Sequence, residues 1–145
     1  MTRGKSKPPT RPSTGYPTEA EEARALMAMV RDLEPVKPEL ALLYHTPNEG
    51  KRNVIAGANL RRAGMKAGVP DYCLPVPRKP WCGLYIELKR AEGAGGGLTV
   101  EQRWWLEALA AAGNYACVCR GAGAAIETLL AYLDGQLGTG DGGAE

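Results

Sequence analysis

Several things are scarce in this 145-residue chain, and each scarcity removes a class of reading. No apolar stretch is long enough to span a bilayer, and the polar, basic N-terminus has no secretory h-region. A cytoplasmic protein with no membrane partner is therefore expected. His45 is the single histidine, and a lone histidine more often supports structure than binds a ligand, so it is left out of the predicted site. The four cysteines, Cys73, Cys82, Cys117 and Cys119, match a zinc site in number but form no Cys-x-x-Cys knuckle. On a strand, Cys117-x-Cys119 points both thiols to one face without a second close pair. All four lie in apolar strand-like runs, which predicts buried reduced thiols. The run Gly93-Ala94-Gly95-Gly96-Gly97 lacks the Gly-Lys-Ser/Thr of a phosphate-binding P-loop and reads as a flexible loop. There is no internal repeat.

Acids are also missing from two segments, and the formal net charge of +2 hides this. Residues 1–17 carry Arg3, Lys5, Lys7 and Arg11 with no acid, in a background of Pro, Ser, Thr and Gly. They read as a disordered basic arm. From Lys51 to Lys66 there is again no acid, while Lys51, Arg52, Arg61, Arg62 and Lys66 surround Val54, Ile55 and Leu60. That predicts a helical segment with one apolar side and a cationic rim suited to phosphate contacts. Residues 135–145, mostly glycine with acids, read as a flexible tail. One domain with a modest core is left over residues 18–134.

Within that domain the pattern alternates between helical and strand periods. Thr18-Glu19-Ala20-Glu21 has the form of a capping box, and Leu26, Met29, Val30 and Leu33 recur at helical spacing until Glu34-Pro35. Continuing this apolar face backwards reaches Glu22 and Glu19. Either these acids meet a cation or a metal, or they occupy a solvated first turn at the positive end of the helix dipole. Leu40 to Tyr44 reads as a strand. A hairpin follows, of Asp71 to Pro75 and Cys82 to Lys89 across the turn Val76 to Pro80. Thr99-Val100-Glu101-Gln102 forms a second capping box, with Trp105, Leu106 and Leu109 as its apolar face and Gly113 as the stop. Tyr115 to Cys119 is a short buried strand, and Ile126, Leu129, Leu130 and Leu133 mark a last amphipathic helix. Helices flanking a mixed sheet of about four strands give an α/β layer sandwich.

The chemistry is concentrated in Gly68-Val69-Pro70-Asp71 and Leu84-Tyr85-Ile86-Glu87-Leu88-Lys89. On a strand Leu84, Ile86 and Leu88 face a core, while Tyr85, Glu87 and Lys89 share the other side. If the Asp71 segment is the neighbouring strand, its carboxylate comes within cross-strand reach of Glu87. Two carboxylates and a lysine then surround one point, and oxygen ligands suit a hard divalent ion such as Mg2+. Such an ion polarises a phosphodiester and lowers the pKa of a bound water, and the lysine can orient that water or offset developing charge. The pattern suggests a metal-dependent nuclease.

The order of these parts resembles the PD-(D/E)XK nuclease superfamily. Within it the chain is similar to small stand-alone VRR-NUC domains of the kind found in phages and prophages. The resemblance rests on Thr46-Pro47-Asn48-Glu49-Gly50-Lys51-Arg52, Gly68-Val69-Pro70-Asp71, Leu84 to Lys89, and Leu98-Thr99-x-x-Gln102 followed by Trp105-Leu106. It implies a restriction-endonuclease-like α-β-β-β-α-β core. It makes Asp71 and Glu87 metal ligands with the Leu88 carbonyl, Glu19 the acid of the first helix, Lys89 the catalytic lysine, and Gln102 the glutamine that follows. The chain departs from the family at Ala23, where many relatives carry glutamine. Asn48, Lys51, Arg52, Arg62 and Lys66 are the expected DNA contacts. The resemblance further implies Mg2+ or Mn2+ dependence, a branched or duplex DNA substrate such as a Holliday junction, and a homodimer. Two other classes stand beside this reading: a DNA-binding protein that keeps the fold without turnover, and a cysteine-based zinc module.

Overall fold

The computed structural model describes residues 15–47, 54–91 and 96–139. Among them, no helix is long and apolar enough to cross a membrane.

Helix α1 spans Glu19–Leu33. Its capping box is complete: Thr18 Oγ1 accepts the Glu21 N–H at 3.2 Å, and Glu21 Oε2 accepts the Thr18 N–H at 2.7 Å. Leu26 and Val30 bury its apolar stripe. The helix is capped at Glu34, because Pro35 next in line has no N–H with which to continue it.

The strand expected from Leu40 to Tyr44 is not formed. Pro38–Leu42 is a short 3-10 helix, and strand β1 is only Tyr44–His45. Proline fixes φ at the start of this turn, and of its residues only Leu40 enters the core. Pairing with the next strand stops just past His45, where Thr46 donates its N–H to the Asp71 carbonyl and Pro47 has none to give.

Helix α2 is Val54–Arg62, β2 is Tyr72–Leu74, β3 is Leu84–Lys89, α3 is Val100–Ala111, β4 is Tyr115–Arg120 and α4 is Ala122–Leu133. The sheet order is β1-β2-β3-β4, antiparallel up to β3 and parallel between β3 and β4. This is the mixed four-stranded α/β sheet that the sequence predicts. Antiparallel β2 and β3 need only a loop between them, whereas parallel β3 and β4 need a crossover, which α3 supplies.

As expected from the alternation, Leu84, Ile86 and Leu88 enter the core on one face of β3, with Tyr72 and Leu74 of β2, Leu26 and Val30 of α1, and Ile126, Leu129 and Leu133 of α4. Helix α3 lies against β3 and β4. The described segment just after α4 is tied to this body: the Trp81 indole donates to the Leu137 carbonyl at 2.9 Å, Leu137 packs on the core, and Lys37 pairs with Asp134. All four cysteines are free thiols, with Cys73 and Cys119 buried and Cys117 partly so. Cys82 is exposed, contrary to expectation, because it lies before β3 begins, with its backbone N–H donating to the Gly113 carbonyl at 2.9 Å. Cys117 and Cys119 share a face with their sulfurs 3.8 Å apart.

Candidate active site

The loop before Asp71 is pressed onto the first turn of α3. Gly68 has φ +83°, and a Cβ there would lie 2.6 Å from the Glu101 backbone carbon and 2.7 Å from the Gln102 nitrogen. Only glycine tolerates both that conformation and that approach. The Trp105 indole secures the same loop by donating to the Ala67 carbonyl at 3.0 Å. Pro70 is fully buried, and Asp71 follows as the last residue before β2.

Tyr72 pairs with Ile86, so the same register continued by one residue sets Asp71 opposite Glu87. Asp71 Oδ2 accepts the Leu88 N–H at 2.7 Å, which fixes the carboxylate against β3. Glu87 and Lys89, on the α3 face of that strand, are 3 % and 8 % exposed. The Lys89 amine lies 3.4 Å from Glu87 Oε1 and donates to Gln102 Oε1 at 3.2 Å, while Gln102 Nε2 donates to Glu87 Oε1 at 2.8 Å. Gln102 Oε1 also accepts the Thr99 N–H at 2.9 Å. Gln102 is thus both the capping-box residue of α3 and a neighbour of the Glu87–Lys89 pair.

Charge in this cluster is unbalanced. Burial, followed by the negative charge of Asp71, pushes the Glu87 carboxyl up to about 7, and Lys89 offsets only part of this. Asp71 is also raised, first by burial, with the Leu88 N–H opposing and Glu19 adding. Two facing carboxylates that resist ionisation together are a donor set of hard oxygens that a divalent cation relieves. On this chemistry Asp71 and Glu87 fit Mg2+ or Mn2+. Among the described residues, no three His, Cys, Asp or Glu side chains converge as a ready-made ligand group.

Glu19 approaches from the other side of β3. It lines a cleft of about 340 Å³ with Ala20, Ala23, His45, Asp71, Tyr72 and Leu88. Asp71 therefore belongs to both the cleft and the Glu87–Lys89 network, and Leu88 provides the backbone between them. Glu22 does not reach this cleft. Its buried carboxylate accepts the Ala122 N–H at 2.7 Å.

His45 was not expected here, but its ring lies 4.9 Å from that of Tyr72, tilted by 48°, and it lines the cleft with Asp71. The signal in the sequence is its place just before Thr46-Pro47, on the strand that pairs with the Asp71 segment. Of the expected DNA contacts, Lys66 is exposed and lines a small pocket that reaches Thr46, Gly68 and Asp71. Arg62 is exposed at the end of α2, within 3.4 Å of the Asn59 side-chain oxygen. Asn48, Lys51 and Arg52 lie outside the described residues, as do residues 1–14 of the basic arm, the middle of the glycine loop and residues 140–145 of the tail.

No family model matches the chain, and no curated protein does. Among solved structures, a VRR-NUC domain protein superposes with a TM-score of 0.67 at 26 % identity, over 82 % of this chain and 90 % of that one. A match over most of both chains supports the VRR-NUC resemblance: the chain shares the nuclease-like α/β fold of that VRR-NUC domain protein, a mixed four-stranded sheet flanked by helices.

Proposed function

We propose that the protein is an endonuclease that hydrolyses DNA phosphodiester bonds with Mg2+ or Mn2+, and that it selects branched DNA such as a Holliday junction. The observation that carries this reading is the pair of carboxylates set opposite each other, Asp71 just before β2 and Glu87 on β3, with the Lys89 amine 3.4 Å from Glu87. Asp71, Glu87 and the Leu88 carbonyl would hold the ion, and Glu19, which lines the same cleft as Asp71, would add a further carboxylate. When bound, the ion supplies Lewis-acid polarisation of the phosphodiester and a water acidic enough to act near neutrality.

The side chains do the rest. Glu87 acts as a carboxylate, so its proton must leave, and with its pKa near 7 it does so at neutral to alkaline pH. Gln102 holds Glu87 by one oxygen, donating its side-chain amide to Oε1. Its carbonyl turns the Lys89 ammonium, which offsets the charge that develops on the phosphate oxygens. Arg62 and Lys66, with Asn48, Lys51 and Arg52, contact flanking phosphates, whose neutralisation gives salt-dependent affinity. A junction cut symmetrically needs two active sites, which a twofold dimer provides.

The test is a cleavage panel on labelled linear, nicked, flapped and four-way DNA with Mg2+, Mn2+ or EDTA. Cleavage in either metal and none in EDTA is expected. Binding without cleavage under every metal condition would leave a DNA-binding protein of this fold. Stoichiometric zinc in the purified protein would instead support the cysteine module.

A further inference from the structure

Glu22 is a buried carboxylate that the proposed reaction does not use. It is 7 % exposed, and Oε2 lies 2.7 Å from the backbone nitrogen of Ala122, the first residue of α4. Helix α4 starts after Gly121 with no side-chain cap of its own and no acid in its first turn. A helix start leaves N–H groups without partners and carries a partial positive charge, and a carboxylate answers both. A residue 100 positions away in sequence supplies it.

The place where α4 starts gives this contact a consequence. Gly121 donates its N–H to the Lys89 carbonyl at 2.8 Å, and a Cβ at Gly121 would strike the Ala91 side chain at 2.9 Å. The head of α4 is therefore fixed against the end of β3, the strand that bears Glu87 and Lys89. Glu22 ties α1 to that point. Glu19 lies three residues earlier, on the same side of the helix and one turn nearer its start. A second tie holds that start: Arg90, the residue after β3, donates to the carbonyls of Pro17 at 2.9 Å and Tyr16 at 3.3 Å, just ahead of the N-cap.

We propose that Glu22 is a positioning residue, which sets Glu19 against Asp71 by capping α4 from α1. The two acids of one helical turn divide the work: Glu22 locates the helix and Glu19 faces the cleft. The inference rests on the proposed function in one respect, that Glu19 takes part in holding the divalent ion.

The experiment is titration calorimetry of the full chain with Mn2+ alone, without DNA. Glu22→Ala is expected to weaken Mn2+ binding about tenfold, and Glu22→Gln, which keeps an oxygen acceptor, to stay within about twofold of wild type. Ala122→Pro should weaken binding at least as much as Glu22→Ala, since proline suits a first helical position but lacks the N–H and leaves the Glu22 carboxylate without its donor. In a Glu19→Gln background none of these changes should weaken binding further, because the path runs through Glu19. Ile126→Val, a buried change in α4 expected to cost about 1 kcal/mol of stability, should lower the melting temperature and leave Mn2+ affinity unmoved.

If Glu19→Gln weakens Mn2+ binding while Glu22→Ala and Ala122→Pro do not, the positioning role is wrong and the proposed function stands. Equal weakening by Ile126→Val would also overturn it, since loss of stability alone would then explain the effect. If Glu19→Gln binds Mn2+ as wild type does, Glu19 leaves the site and the inference falls with it.

Discussion

A 2.8 Å hydrogen bond from the Gln102 side-chain amide to Glu87 Oε1 joins the capping box of α3 to the buried acid of β3. The two roles can be separated. Gln102→Glu keeps a capping-box residue at this position, so urea denaturation should show a loss under about 1 kcal/mol. It removes the donor to Glu87 and adds a like charge, and cleavage should fall by about a hundredfold. Gln102→Ala should lose both functions. Full cleavage by Gln102→Glu would reduce Gln102 to a cap.

The carboxylates give a sharper test. Glu87→Gln and Asp71→Asn keep shape and an acceptor but remove charge, so cleavage should drop below about one per cent while DNA binding by fluorescence anisotropy survives. Undiminished cleavage by both would dismiss the metal site.

Lys89→Ala should lower the cleavage rate without releasing the ion, because an ammonium is no ligand for a cation. The comparison belongs at alkaline pH: Lys89 helps to hold down the pKa of Glu87, and without it Glu87 ionises later. Loss of Mn2+ binding even there, with the rate unchanged, would refute the assigned role. Lys89→Arg should not restore the rate, since a planar guanidinium does not fit the position of a compact amine.

Stability should depend on pH in a direction that Glu87 sets. Its folded pKa, about 7, lies above the ordinary 4.5, so the folded state holds the proton more tightly. The contribution is fully present below 4.5 and is lost as pH rises through about 7. The metal-free protein should therefore lose up to about 3 kcal/mol from this group across that window. Glu87→Gln should abolish that part of the profile. Mn2+ competes with the same proton, so its affinity should rise about tenfold per pH unit below neutrality and level off above. A calorimetric affinity that is flat between pH 6 and 8, about a unit on either side of that pKa, would contradict the assignment.

Deletion of residues 1–14 removes Arg3, Lys5, Lys7 and Arg11 but leaves Tyr16 and Pro17, whose carbonyls hold Arg90. Affinity for DNA should fall, and the log-log salt slope should flatten by up to about four units. Turnover at saturating DNA should hold. An unchanged slope would show that the arm touches no phosphate.

Much of this molecule was legible from local pattern. Both capping boxes, the alternation of Leu84 to Lys89 and the order of Asp71, Glu87, Lys89 and Gln102 depend on neighbours a few residues apart, and side-chain periodicity places them before any tertiary contact forms. What the pattern could not reach lies in partners distant in sequence. Glu19 and Glu22 are equivalent by helical spacing, and only the packing of α4 on α1 turns one into a cap and leaves the other on the cleft. Leu40 to Tyr44 has the composition of a strand, yet pairing across β2 begins only at Tyr44, so backbone hydrogen bonds rather than composition decide its form. His45 and the raised pKa of Glu87 belong to the same class. A lone ring gains its neighbour, and an acid loses its water, only when separate strands close around them, because desolvation and proximity are properties of the assembled fold.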